Sequence, residues 1–179
     1  LSRASARTAT PAPTTGPTPT PGGAAEMAMA KSVFVSSEPD PTHPGIHAVD
    51  GDPNSYWASI RDPYTAFDVR HLQWIYIDLG SDQKVKSMRM LWNDANRPRV
   101  YAVYVWIDAY RAWLRIADTR YGQADDKPTF PDAIRGRYFM LWLETPNVAG
   151  SNYELRSWEI MGEGSVPIQG ANVAAGKPA

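Results

Sequence analysis

The sequence contains no cysteine. That absence excludes a disulfide framework, a thiolate metal site and a cysteine nucleophile together. Histidine is scarce: only His43, His47 and His71 occur, and their spacing fits no zinc pattern. Neither sign of charge dominates. The net charge is −1 and the isoelectric point is near 6.3, which argues against a nucleic-acid partner. No apolar run approaches the roughly 20 residues that span a bilayer. There is no G-x-S-x-G elbow, Gly-rich phosphate loop or Walker motif. Acidic residues are plentiful, but no pair has a reason to hold the split pKa values of an acid and a base. The chain is therefore not expected to be an enzyme. Beginning at Leu1, it is expected to be a fragment or a processed form.

What is present divides into three parts. Residues 1–30 include "TATPAPTTGPTPTPGG" and no aromatic side chain. Such a segment buries too little apolar surface to offset its ordering entropy. Alternating proline favours extended conformations, so it reads as a semi-rigid Pro/Thr spacer that is a candidate for O-glycosylation. Residues 163–179 read as a second tail. Between them, 31–162 holds all seven Trp, nine Tyr and four Phe. Here short alternating runs are separated by Gly, Pro, Asn and Asp clusters: "SVFVSS", "QWIYIDLG", "VKSMRMLW", "VYAVYVWI", "AWLRIADT", "RYFMLWLET" and "YELRSWEIMG". About eight strands without a capped helical period predict an all-β sandwich.

Five segments carry a more specific likeness: "AVDGDPNSYWAS", "QWIYIDLG", "VKSMRMLWNDANRPRVYAVYVWIDAYRAWLRIADT", "GRYFMLWLET" and "YELRSWEIMG". Their order and spacing resemble the discoidin, or coagulation factor V/VIII type C, domain family with its bacterial carbohydrate-binding relatives. The resemblance spans about Ser32 to Gly162 and implies a galactose-binding-like jelly-roll β-sandwich. Asp52 stands where the family often has Asn, Asn93 where Glu is common, and Ser157 where an acid is frequent. The "IDAYRAW" hairpin also departs from the family pattern.

The resemblance implies that the loop from Asp50 to Trp57 wraps a structural Ca2+, with Glu159 reaching back toward it. Asp50, Asp52 and Ser55 offer oxygens of the kind a hard cation requires. The competing reading is a plain turn closed by Asp50 onto backbone amides. Trp57 is expected in the core. For ligand binding, the long loop "IRDPYTAFDVRH" supplies Arg61, Tyr64, Phe67 and His71, and "WNDANRPR" supplies Asn93, Asp94 and Arg97. Aromatic faces stack on sugars while planar polar groups take the hydroxyls. The competing reading folds Tyr64 and Phe67 back as a cluster beneath their own loop.

The family register points Tyr101, Val103 and Val105, and likewise Phe139, Leu141 and Leu143, toward the core. Ile75, Ile77 and Leu79 form one face of their strand. The two-residue period then sends Trp74, Tyr76, Tyr104, Trp106, Tyr138, Met140 and Trp142 to the other side. An exposed sheet face is normally polar. Tyr104, Trp106, Tyr138, Met140 and Trp142 are thus candidates for an interface with a flat glycan, another subunit or the Pro-rich tail.

Together these features predict a non-catalytic extracellular carbohydrate-binding module, secreted or at a cell surface, whose partner is a glycan or polysaccharide. The alternative is a structural subunit of a fibre or surface layer, self-associating through the aromatic face and the tail. A membrane-surface domain ranks third, because Asp62 and Asp68 dilute the charge of Arg61 and Arg70.

Overall fold

The computed structural model describes residues 26–61 and 72–162. Its strands are β1 (Ser32–Val35), β2 (Trp57–Ala58), β3 (Gln73–Trp92), β4 (Pro98–Ile107), β5 (Ala112–Thr119), β6 (Asp125–Asp126), β7 (Thr129–Pro146) and β8 (Glu154–Gly162). Short 3₁₀ turns at Gly45–Val49 and Asp94–Asn96 accompany them. No helix among the described residues is long and apolar enough to cross a membrane.

Two long strands build both layers. The first half of β3 pairs with β1 and with the second half of β7. Its second half pairs with β8 and with the first half of β7. The register breaks between Asp78 and Gln83, where β3 turns the corner. The front sheet therefore runs β1-β3-β7-β4-β5. The back sheet runs β2-β8-β3-β7, with β6 also paired to β3. Strands that switch sheets at a bend are a recognised way to close such a sandwich. This is the all-β jelly-roll architecture expected from the sequence. "QWIYIDLG" and "VKSMRMLW" prove to be two halves of one strand.

The core forms where strand alternation points inward. Ile75, Ile77, Leu79, Val103, Val105, Phe139, Leu141 and Leu143 are all buried, and so is Tyr101. Each of these faces the interior as expected. Trp57, Trp92 and Trp158 fill the space between the sheets. A buried tryptophan removes ~150–250 Å² from water, or about 4–6 kcal/mol of gross transfer free energy at ~25 cal/mol/Å². The Trp57 indole N–H also donates to the Ser37 carbonyl at 3.1 Å, which pins the loop after β1. The described residues open at Glu26. Its carboxylate accepts from the amides of Ala28, Met29 and Ile160.

The register also sorts the loops. β1 and β7 end where β3, β4 and β8 begin. Loops near residues 36–44, 59–61, 93–97, 120–124 and 147–153 therefore gather at one end of the sandwich. Backbone bonds knit this rim together: Ser59 N to Tyr153 O, Asn93 N to Glu154 O, Gly122 N to Arg99 O and Asn147 N to Arg97 O.

Candidate functional site

Glu154, half-buried at the start of β8, is the centre of the rim. Its carboxylate accepts from three amides: Asn93 Nδ2, Asn96 Nδ2 at 2.6 Å and Asn152 Nδ2 at 3.2 Å. One anion thus clamps the β3–β4 loop to the β7–β8 loop. Arg97 extends the arrangement. Its guanidinium reaches the Asp94 carboxylate at 2.5 Å, the Asp94 carbonyl at 2.6 Å and the Gly122 carbonyl at 3.0 Å. Gly122 is required there: a Cβ would stand 2.2 Å from the Pro98 carbonyl oxygen.

A second polar patch lies on the loop after β1. The Asp40 carboxylate accepts from Thr42 N at 2.8 Å and Thr42 Oγ1 at 2.7 Å, and it bonds His43 Nδ1 at 2.8 Å. These bonds, led by the Thr42 amide, hold Asp40 down to about 2. The His43 ring stacks on Tyr56 with centroids 4.1 Å apart. Burial, followed by the charges of Glu154 and Asp40, pushes the Tyr56 phenol upward. Tyr56 therefore sits in the field of both carboxylates. The assembled rim offers one aromatic pair, several amide and guanidinium donors, and anions already held by protein donors. It suits recognition of a hydroxylated ligand.

Of the expected ligand residues, Asn93, Asp94 and Arg97 meet here. Arg61 joins them through Nε to the Gly150 carbonyl at 2.7 Å. Tyr64, Phe67 and His71 lie outside the described residues. Asp40, His43, Tyr56, Asn152 and Glu154 were not read from the sequence as site residues. The Asp-Pro-Thr-His order at 40–43 does carry the mark of an Asx turn, in which a side-chain oxygen takes the amide two residues on. Glu154 carried no such mark, because nothing local tells a strand-opening glutamate from any other.

The Asp50–Trp57 loop closes as a turn. Asp50 Oδ1 accepts from Asp52 N at 2.8 Å, and its carboxylate also accepts from Ser55 Oγ at 2.9 and 2.8 Å. Gly51 takes a φ of 77°, in the left-handed region glycine favours. Asp50, Asp52 and Ser55 thus share one loop. Glu159 instead faces Arg89 at 3.4 Å, and the Arg156 guanidinium takes the Pro53 carbonyl. Among the described residues no three His, Asp or Glu side chains gather as a metal site.

The front sheet presents the expected aromatic face. Tyr104, Trp106, Tyr138 and Trp142 are half-exposed. Met140 points the same way but is only 7% exposed, because Tyr76 and Tyr104 flank it across the strands. Trp113 completes the face, edge-on to Trp106 at 5.6 Å. It was missed because it follows the atypical hairpin.

A family model for the F5/8 type C domain matches residues 33–159. Among solved structures, the chain is similar to chitosan-binding module 1 of a chitosanase/glucanase from Paenibacillus sp. IK-5. That likeness has 26% identity and a TM-score of 0.66, and it covers 77% of this chain and 99% of that one. Module 2 of the same enzyme, solved with chitotriose, is 29% identical with a TM-score of 0.65, over 76% of this chain and 99% of that one. The family 32 carbohydrate-binding module of C. perfringens NanJ, in complex with galactose, shares the fold. It is 14% identical with a TM-score of 0.63, over 77% of this chain and 98% of that one. No curated protein matches the chain.

Proposed function

The chain belongs to the F5/8 type C domain family, and from that premise we propose that it is a non-catalytic extracellular carbohydrate-binding module whose glycan site is the loop rim. The observation that carries this reading is the convergence of Asn93, Asn96 and Asn152 on Glu154 beside the His43–Tyr56 pair. The likeness to two chitosan-binding modules at 26% and 29% identity supports it. The carboxylates of Asp40, Asp94 and Glu154 make an amino sugar the first ligand to try, since an ammonium is welcome where anions are held. Retention of the full chain on chitosan, cellulose and galactan supports the reading if one matrix holds it and Asn93→Ala or Tyr56→Ala releases it. Passage through every matrix tried counts against it.

A structural Ca2+ at the Asp50–Ser55 loop is a proposal of the same kind, resting on Asp50 and Asp52 with their neighbouring carbonyls. Ions that bind only the folded state raise its melting temperature with concentration. The Tm in 5 mM calcium should therefore exceed the Tm in EDTA (~2 °C or more for a site of even modest affinity), and Asp50→Asn should abolish the difference. Equal melting in both buffers ends the calcium proposal.

A further inference from the structure

The geometry points to a second carbohydrate-contacting surface: the aromatic outer face of the front sheet, which continues the rim and takes a glycan chain longer than the rim alone can hold. The inference rests on the reading of this chain as a carbohydrate binder. On this face some rings are already spent on one another. Phe34, Tyr76 and Trp74 stack in series at 4.7 and 5.6 Å. Trp142 and Tyr104 differ. Both are half-exposed, and no ring among the described residues pairs with either. Cross-strand register puts Trp142 opposite Ala102 and Tyr104 opposite Met140. The two free rings are therefore diagonal neighbours, ~7–8 Å apart at their backbones. Ala102 and Met140 between them are covered, at 0% and 7% exposure, so the two rings themselves form the surface there.

The outer edge of this surface is polar. Arg115 is paired opposite Tyr104 and Asp118 opposite Ala102, with side chains 57% and 60% exposed. Two unspent rings on one surface, with exposed hydrogen-bonding groups at its edge, form the arrangement a pyranose chain needs: apolar ring faces to stack on and polar groups for its hydroxyls. The surface is also continuous with the rim. Trp74, in register with Trp142, donates its amide to Ser36 Oγ at 2.9 Å. The adjacent Ser37 Oγ accepts from Ile60 N at 2.9 Å. The loop that carries Asp40 and His43 thus runs directly into the top row of the face.

The test is calorimetric titration of the full chain with the β-1,4-glucosamine trimer and hexamer. Wild type should bind the hexamer about tenfold more tightly than the trimer. Trp142→Ala and Tyr104→Ala should remove that advantage while leaving trimer affinity within about twofold. Arg115→Ala, an exposed change that spares folding, should weaken the hexamer selectively. Equal wild-type affinities for trimer and hexamer overturn the proposal. So do face variants that keep the hexamer advantage while Asn93→Ala abolishes binding of both ligands; in that case the rim reading stands alone. Hexamer binding that needs Trp142 and ignores Asn93→Ala supports the face and removes the rim. A dimer that Trp142→Ala dissociates without altering hexamer affinity overturns the proposal and assigns the face to a second copy. If wild type binds neither ligand, both readings fall.

Discussion

Replacing Glu154 should loosen the whole rim, and the size of the effect can be worked from its bonds. The carboxylate accepts from Asn93, Asn96 and Asn152. Hydrogen bonds to a charged group contribute ~1.5–3 kcal/mol each when sealed from water. Glu154 is half-buried, and freed asparagine amides regain water, so about 0.5–1 kcal/mol per bond is the fitting figure here. Glu154→Ala should then cost about 2 kcal/mol, and Glu154→Gln, which keeps one acceptor oxygen, about 1 kcal/mol. For a domain of this size 1 kcal/mol moves the melting temperature by ~3–5 °C, so the alanine variant should melt about 6–10 °C lower. Scanning calorimetry reads the shift. A double-mutant cycle with Asn96→Ala should return a coupling above ~0.5 kcal/mol. An alanine variant within 0.5 kcal/mol of wild type, with no coupling to Asn96, would refute the clamp.

Two further outcomes follow from the packing and the charges. Trp57 donates to Ser37 O, whereas the buried Trp158 Nε1 has no protein partner among the described residues. Trp57→Phe should therefore cost about 1–2 kcal/mol more than Trp158→Phe in chemical denaturation, since one change breaks a bond and the other removes an orphaned donor; equal costs would contradict this. Asp78 is bound by Arg137 at 2.6 and 2.7 Å, and that bond, foremost, holds its carboxyl below the ordinary 3.8. A depressed acid stabilises above its unfolded pKa and loses that contribution as pH falls through its folded value. Asp78→Asn should thus cost about 1 kcal/mol at pH 7, allowing for the 42% exposure of Arg137. The gap from wild type should close as pH drops below ~4, and a gap that widens in acid would show another group controls it.

The architecture was legible because alternation is local. Ile75-Ile77-Leu79, Tyr101-Val103-Val105 and Phe139-Leu141-Leu143 announce their faces from neighbours alone. The joins were not. β3 crosses Gly80–Asp82, where alternation lapses, so one strand reads as two. The first half of β7 holds Pro131, Asp132, Arg135 and Gly136, which read as loop although Arg135 and Gly136 pair with β3. β2 and β6 are two residues each, too short for any period to show. At the rim, Asn93, Asp94 and Arg97 were legible as a polar knot in one loop. Their partner Glu154 was not, because a clamp between residues 58 and 61 positions apart depends on the fold that brings them together. The pairing of Glu159 with Arg89, its cross-strand neighbour, was hidden for the same reason, since only register reveals it.

The most direct test of the central claim is an amide-resolved NMR titration of the full chain with chitotriose, followed by galactose and cellotriose if chitotriose is silent. The account predicts that shifts concentrate at Asp40–His43, Tyr56, Asn93–Arg97 and Gly150–Glu154. Shifts confined to the opposite end of the sandwich or to the back sheet, or a spectrum unmoved by all three sugars, would contradict it.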